Sequence, residues 1–424
     1  MWSFFTLALY CMIGWSNSQR CPMYYQRFSA QHSYCLAPNP TCNIVKSGVG
    51  QQEREDILRL HNEFRSKVAM GNEHRSIGGS LPEVADMMQL EWDDELAAVA
   101  QKWTDNCEYK HDCNECRAVE NFPVGQNLAF QESTCMGRIC REDQKVIPNW
   151  SWAITAFYDE VKDYHKDWLW SFVEHKGPKT GHLTQLIWAK TWRIGCGYTV
   201  YKEGRTYTRY YACNYGPTGN SVKKPVYQAG PPCSACPTNS HCVTWSSGPG
   251  TYPGLCKMSN PNTAPIYIHN NVLFDCNSNP ANTDCQSRIT GANKWDIITS
   301  VGGNYHSVIL RGGESTTLAF DKPIIPHGQG FCVVLKFRKG PLDASNRDQS
   351  SFKAHFGMEY GSSSPMSISS GSTSFKDYRI NIKWSTKTKL SFSFSVPSGA
   401  PSHILDIREV LAFDGKCNTR NNYK

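Results

Sequence analysis

The stretch GHLTQLIW at 181–188, followed by YYACNYGPTGN at 210–220, decides how the first half of this chain is read. Its apolar end, 186–188, is expected to be a strand, as are 194–200 and 206–213, which are rich in β-branched and aromatic residues and separated by Gly-containing breaks. Helical period surrounds these strands. It appears in Ile57, His61, Phe64 and Val68, in Leu96, Ala100, Trp103 and Cys107, and in Ile154, Phe157, Val161, Tyr164 and Trp168, each a stripe for burial. Asp93 and Asp94 open the second helix, where carboxylates favour a helix N-terminus. Helices and strands that share one core between about 50 and 220 point to an α+β fold with a three-layer α-β-α arrangement.

The two motifs closely resemble the signature motifs of the CAP superfamily, which takes in cysteine-rich secretory proteins, antigen 5 and plant pathogenesis-related proteins. The resemblance extends to HNEFRSKVA at 61–69, LEWDDELAAVAQKW at 90–103, HDC at 111–113 and VGQNLA at 124–129, and so covers 50–220. A Cys-rich extension at 19–49, with Cys21, His32, Cys35 and Cys42, is similar to that of arthropod antigen-5 venom allergens. Leu183, where the family usually has an aromatic residue, and Ser221 are small departures. The resemblance implies a central cavity with two His and two acidic residues. By motif position these are His111, Gln126, Glu160 and His182, so one carboxylate is replaced by an amide. It also implies that Cys196 pairs with Cys213. The segment 221–258 looks like the hinge of cysteine-rich secretory proteins, with Cys233, Cys236, Cys242 and Cys256 pairing among themselves.

Without the family, the same residues are less distinctive. His111 lies in a polar, Cys-rich loop, and His182 follows a Gly just before an expected strand; a lone His in such places is commonly a structural hydrogen-bonder. Glu160 falls at the edge of the third helix's buried stripe, where a carboxylate needs a partner. His182 supplies one, as does a cation bridging both imidazoles: zinc or copper suits neutral imidazole, and magnesium or calcium suits the oxygens. Gln126 keeps the oxygen acceptor of Glu but has no proton to exchange near neutral pH, which weakens a hydrolase reading. Neither G-x-S-x-G nor H-E-x-x-H occurs.

Composition sets the compartment. An apolar run from 4 to 15 followed by small residues reads as a secretory signal at 1–18, being shorter than the ~20 apolar residues of a spanning helix. Removing it takes Cys11 from the 19 cysteines and leaves an even number, which suits nine disulfides in an oxidising, extracellular setting. The competing reading, a zinc site, rests on the close group Cys233, Cys236, Cys242 and Cys256. Asn149-Trp150-Ser151 is a glycosylation sequon, or else an unmodified helix start.

The remainder, 259–424, reads as a second domain. Tyr378, Ile380, Ile382 and Trp384 alternate with polar residues, Leu390, Phe392, Phe394 and Val396 alternate with serines, and 331–337 and 404–413 are strand-like, so a β-sandwich is expected. Cys276, Cys285, Cys332 and Cys417 are expected to staple it. From 260 on there are 18 Lys and Arg against 12 Asp and Glu, most of the formal charge of +7. No basic cluster with interleaved aromatics marks a nucleic-acid site. The tail is therefore expected to serve as an adaptor for an extracellular protein, glycan or membrane surface.

Three functions are in play. The first is a secreted binding protein, a venom or extracellular component, taking a sterol, fatty acid or protein target. The second is a divalent-cation-dependent endoprotease using His111, Glu160 and His182. The third is an ion-channel modulator, disfavoured because only four cysteines follow Cys256.

Overall fold

A computed structural model describes residues 21–135, 141–245, 251–265, 267, 272–291, 294–358, 361–369 and 371–417. The expected signal at 1–18 lies outside the described residues. The helices are α1 (Met23–Phe28), α2 (Gln51–Ala69), α3 (Asp94–Thr104), α4 (Glu142–Lys145), α5 (Trp150–Asp159) and α6 (Gly181–Leu186). The first half also contains strands β1 (Ile44–Ser47), β2 (Glu91–Trp92), β3 (Gly125–Thr134), β4 (Arg193–Glu203) and β5 (Thr206–Gly216), in the order β1-β4-β5-β3, with β2 parallel to β4.

The pleat of β5 explains the layers. Tyr211, Cys213 and Tyr215 point into one core with Ile57, Leu60 and Val68 of α2, Ile154 and Phe157 of α5 and Leu183 of α6. Tyr210 and Ala212 point the other way, against Ala100 and Trp103 of α3. Period 2 on the strand thus meets period 3.6 on helices at both faces, giving the α-β-α sandwich. Gly195 and Gly197 of β4 let α3 approach, since a methyl group at either would overlap its backbone. Asp93 caps α3 through Leu96 N–H (2.9 Å), and Asn149 caps α5 through Trp152 N–H (3.0 Å).

Two local expectations are corrected. Residues 186–188 are not a strand: Leu186 ends α6, and Ile187 and Trp188 turn out of it. Leu183, Leu186 and Ile187 are all fully buried at spacing i, i+3, i+4, so a short apolar run that reads as strand satisfies one helical face equally well. The third helix is not continuous either. It stops at Asp159 and passes into 3-10 turns Glu160–Asp163 and Lys166–Trp170, although Val161 and Tyr164 remain buried as the stripe requires.

The Cys-rich flanks are bonded onto this core. Disulfides join Cys21 to Cys35, Cys42 to Cys107, Cys113 to Cys116 and Cys196 to Cys213. In 221–258, Cys233 pairs with Cys242 and Cys236 with Cys256, so these sulfurs are not the thiolates that the zinc reading requires. Strands β6 (Ser240–Cys242) and β7 (Cys256–Met258) form a hairpin there, and β7 bonds back onto the first half through Cys256 N–H to the Met87 carbonyl (2.8 Å).

The extension packs on α3 through Tyr25 and Phe28 against Val99, and through one carboxyl. Tyr25 donates its hydroxyl to Glu95 (3.1 Å), and burial together with the neighbouring Asp93 pushes the Glu95 pKa up to about 7 against the pull of that hydrogen bond. The folded state therefore keeps a proton that the unfolded chain releases above its ordinary 4.5, and stability falls as pH rises through the window from about 4.5 to about 7. The stability difference between wild type and Glu95→Gln is expected to shift by on the order of 2 kcal/mol, to the wild type's disadvantage, between pH 5 and 7.5. A difference independent of pH in denaturant unfolding would exclude this titration.

The second half contains β8 (Val272–Cys276), β9 (Ser287–Gly291), β10 (Asp296–Ile298), β11 (Tyr305–Leu310), β12 (Ser315–Phe320), β13 (Phe331–Pro341), β14 (Ser351–Met358), β15 (Gly361–Ser362), β16 (Met366–Ser367), β17 (Ser372–Ile382), β18 (Thr388–Ser395) and β19 (His403–Asp414). They form two antiparallel sheets, β10-β11-β19-β13-β17 with β8 on β19, and β15-β14-β18-β12-β9 with β16 on β14. The core between them is the expected alternation: Leu390, Phe392 and Phe394 face Phe331, Val333 and Leu335, and the intervening serines of β18 face outward. Cys276–Cys285 and Cys332–Cys417 hold the sandwich. Its first sheet turns its outer face to the α-β-α unit, where Arg338 of β13 bonds both Asp406 of β19 (2.6 Å) and Glu120 (3.1 Å).

Candidate functional site

The four residues singled out in the sequence form two imidazole–oxygen pairs. His111 sits in the loop after α3, and its Nδ1 is 2.8 Å from Oε1 of Gln126, the second residue of β3. His182, in the first turn of α6, places Nδ1 2.6 Å from Oε1 of Glu160. Glu160 is not on the third helix but on the 3-10 turn after it, and this break turns its carboxylate to the N-terminus of α6, where Oε2 also accepts the Leu183 N–H (2.9 Å).

The direction of these bonds fixes Nδ1 as the donor in both rings. At the inner end of the first chain, the Asn214 amide donates to the Leu96 carbonyl (3.4 Å), which only accepts. Asn214 Oδ1 is then left to accept from Gln126 Nε2 (3.2 Å), so Gln126 presents its oxygen to His111, whose Nδ1 must carry the proton. In the second pair the Glu160 carboxylate accepts, so His182 Nδ1 donates. The Nε2 of each ring makes no hydrogen bond among the described residues.

Burial grades outward in the same sense. Gln126 is buried and Glu160 nearly so, while the His182 side chain is 32 % exposed and His111 is exposed. In each pair the oxygen is the more buried partner and the imidazole the more exposed one. Burial lowers the pKa of His111, against the Gln126 hydrogen bond and with help from the positive field of Arg117, so the ring is neutral at pH 7 and its Nε2 lone pair is available.

The supports of this site were not singled out from the sequence. Asn127, next to Gln126, holds the backbone carbonyl of His182 (3.0 Å) and bonds Tyr215 Oη, which meets Nε2 of the fully buried His61 (2.9 Å). Arg65 lies wholly inside and donates to the carbonyls of Met88, Leu186, Trp188, Ala189 and Thr191, the last four at the end of α6 and the turn after it. Its signal was available: position 65 is one helical turn beyond His61, on the stripe side of α2, where a cation demands an explanation.

Asn149, the sequon residue, is exposed, and its side-chain oxygen is used as the helix cap. It also borders a shallow groove of about 460 Å³ along α5, lined by Asn149, Ser151, Trp152, Thr155, Ala156 and Asp159.

Residues 58–215 match the CAP family, described as the cysteine-rich secretory protein family. The chain is 41 % identical over 421 residues to a CRISP/Allergen/PR-1 protein of Trittame loki, covering 97 % of this chain and 100 % of that one. It is 36 % identical over 423 residues to a venom allergen 5 of Tityus serrulatus, covering 97 % of each. Among solved structures, one of NaASP2 with Zn2+ is 26 % identical, covers 44 % of this chain and 90 % of that one, and superposes with a TM-score of 0.37.

Proposed function

The chain belongs to the cysteine-rich secretory protein (CAP) family, and on that premise we propose that it is a secreted, venom-type protein that acts by binding, with a divalent cation held between His111 and His182. The observation that carries this reading is the matched state of the two rings: each has Nδ1–H held by a side-chain oxygen and Nε2 open. That is the arrangement in which an outer oxygen fixes tautomer and orientation for an imidazole that ligates metal, and two nitrogen donors favour zinc over magnesium or calcium. When bound, such a cation supplies a fixed positive charge and open coordination positions for an oxygen of the partner.

Glu160 argues for binding over hydrolysis. An endoprotease at this site needs a base to take a proton from water, but both Glu160 oxygens are engaged, by His182 and by the Leu183 N–H, and Gln126 does not titrate. Among the described residues no Ser, Thr or Cys side chain bonds either imidazole. A sterol or fatty acid has the groove along α5 as its candidate seat, yet four of its six lining residues are polar, where an apolar ligand requires a mostly apolar wall. A channel-blocking module after 258 is disfavoured by the sandwich itself, whose core is Phe, Leu, Ile and Val with two disulfides rather than a Cys-dense knot.

Native mass spectrometry of the secreted protein in micromolar zinc is expected to show one retained, chelator-removable ion. His111→Ala/His182→Ala should retain none, and Gln126→Ala should bind about 10- to 100-fold more weakly, because the orienting acceptor is gone. Gln126→Glu, restoring the second carboxylate, should bind more tightly than wild type. Equal zinc retention by the double His variant would sink the proposal.

A further inference from the structure

The sandwich turns one sheet toward the α-β-α unit and leaves the other face of its second sheet open. Along β14, β18 and β12 the outward positions are Ser351, Lys353, His355 and Gly357, then Lys389, Ser391, Ser393 and Ser395, then Ser315, Thr317 and Ala319. Cross-strand register sets them in rows: Lys353, Ser393 and Thr317 lie side by side, as do His355, Ser391 and Ala319, and Lys389 neighbours Gly357. No carboxylate occupies an outward position on these three strands. At one end, the connection from β17 to β18 adds exposed Lys383 and Lys387. Among the described residues, none of Lys353, Lys383, Lys387 and Lys389 has a carboxylate within ion-pair distance, whereas Lys322 and Lys339 elsewhere in the sandwich are paired with Asp284 and Asp348.

We propose that this face is a binding surface for an extended sulfated polysaccharide, a site separate from the His111–His182 cleft. Three features select that partner. Among the described residues of these three strands and the tip the charge is positive and unneutralised, so an anion gains Coulomb energy without displacing an internal partner. The middle of the face carries Ser and Thr hydroxyls, short enough to leave a flat track and able to donate to sulfate oxygens, and the His355 ring is fixed against Ser393 (2.7 Å). A bilayer is disfavoured because the apolar residue of the lysine-rich tip is turned inward: the Trp384 ring packs on Phe356 (6.0 Å between centroids), and its N–H bonds Thr388 (3.1 Å). Beside the tip a single isoleucine, Ile325, is exposed, too little apolar surface to anchor a protein among acyl chains.

The test is retention of the full secreted protein on immobilised heparin at about 0.15 M salt, where only close charge contacts survive screening. Wild type is expected to bind and to elute with added salt. Lys383→Glu/Lys387→Glu/Lys389→Glu should weaken heparin affinity about tenfold or more, and Lys383→Gln/Lys387→Gln/Lys389→Gln, a milder change that guards against misfolding, should weaken it less. Lys176→Glu/Lys179→Glu/Lys223→Glu, with the same change in net charge on the α-β-α unit, should stay near wild type, and so should His111→Ala/His182→Ala, which separates this site from the cation cleft. Equal loss in both charge-reversed triples, no retention of wild type, or capture by phosphatidylserine vesicles without capture by heparin would each overturn the proposal.

Discussion

Replacing Arg65 with alanine is expected to remove on the order of 5 kcal/mol, enough to unfold the α-β-α unit near ambient temperature, since a domain has about 5–15 kcal/mol in all. Arg65 is fully buried, and its hydrogen bonds go to backbone: Met88 (2.6 and 2.9 Å), Leu186 (2.8 Å), Trp188 (2.8 Å), Ala189 (3.1 Å) and Thr191 (3.0 Å). Burial lowers its pKa to about 9, so the fork is still cationic at neutral pH. Its charge stands at the C-terminal end of α6, where helical carbonyls converge and a cation is favourable. Truncation strips the Met88, Leu186 and Thr191 carbonyls of their donor, each worth about 1–3 kcal/mol if it stays dry, while the Trp188 and Ala189 carbonyls keep the N–H groups of Thr191 and Met88 and water entering the hole recovers part of the sum. Arg65→Lys keeps the charge but offers three donors at one point instead of five across a plane, so it should recover less than half of the loss. Arg65→Met fills the space and satisfies nothing, and should resemble alanine. The order wild type, Lys, then Met and Ala in thermal unfolding midpoint checks the argument, and an alanine variant within about 1 kcal/mol of wild type would refute it. Because α6 carries His182, the lysine variant should also hold zinc less tightly while it remains folded.

This residue also shows where sequence reading reaches its limit. The stripes of α2, α3 and α5 were legible because burial of one helical face repeats locally, and β17 and β18 were legible because apolar and polar residues alternate along them. The four site residues were available through motif position, and of their two pairings only Glu160 with His182 was anticipated; no local pattern states that a helix stops at Asp159 so that the next residue can turn to α6. The 186–188 segment misled because three consecutive apolar residues have no period of their own. Arg65 satisfies carbonyls more than 120 residues away, and the contact of Arg27 with Asp406 spans 379 residues. Pairings of that kind depend on how finished units meet, and such information is spread over two surfaces rather than written in either.

The meeting of those surfaces gives the second large effect. Asp406 is fully buried, and one of its oxygens accepts from Arg338 (2.6 Å) and from Arg27 of α1 (3.1 Å). Arg338 also bonds Glu120, to which Tyr305 donates, and Arg408 bonds the Asn121 carbonyl while its guanidinium lies 3.8 Å over the Phe375 ring. Two guanidinium groups therefore share two carboxylates with a third beside them, and Asp406→Ala leaves these cations near Glu120 alone. Stripping one partner from a buried pair of this kind costs about 3–5 kcal/mol, chiefly for the charge left behind. Because the cluster links the N-terminal extension, the Glu120 loop and the sandwich, the loss should appear as uncoupling: calorimetry of Asp406→Ala should resolve two transitions where wild type gives one. Adding Arg338→Met removes the stranded charge and should return part of the stability, a coupling that independent sites would not show. Acid should act on the same contact. Burial alone would raise the Glu120 pKa, but the Tyr305 hydrogen bond and Arg338 hold it below the ordinary 4.5, so its contribution is present above pH 4.5 and is lost as pH falls through the lower folded value. A single unchanged transition in Asp406→Ala would mean that the two halves are held together by packing and not by this cluster.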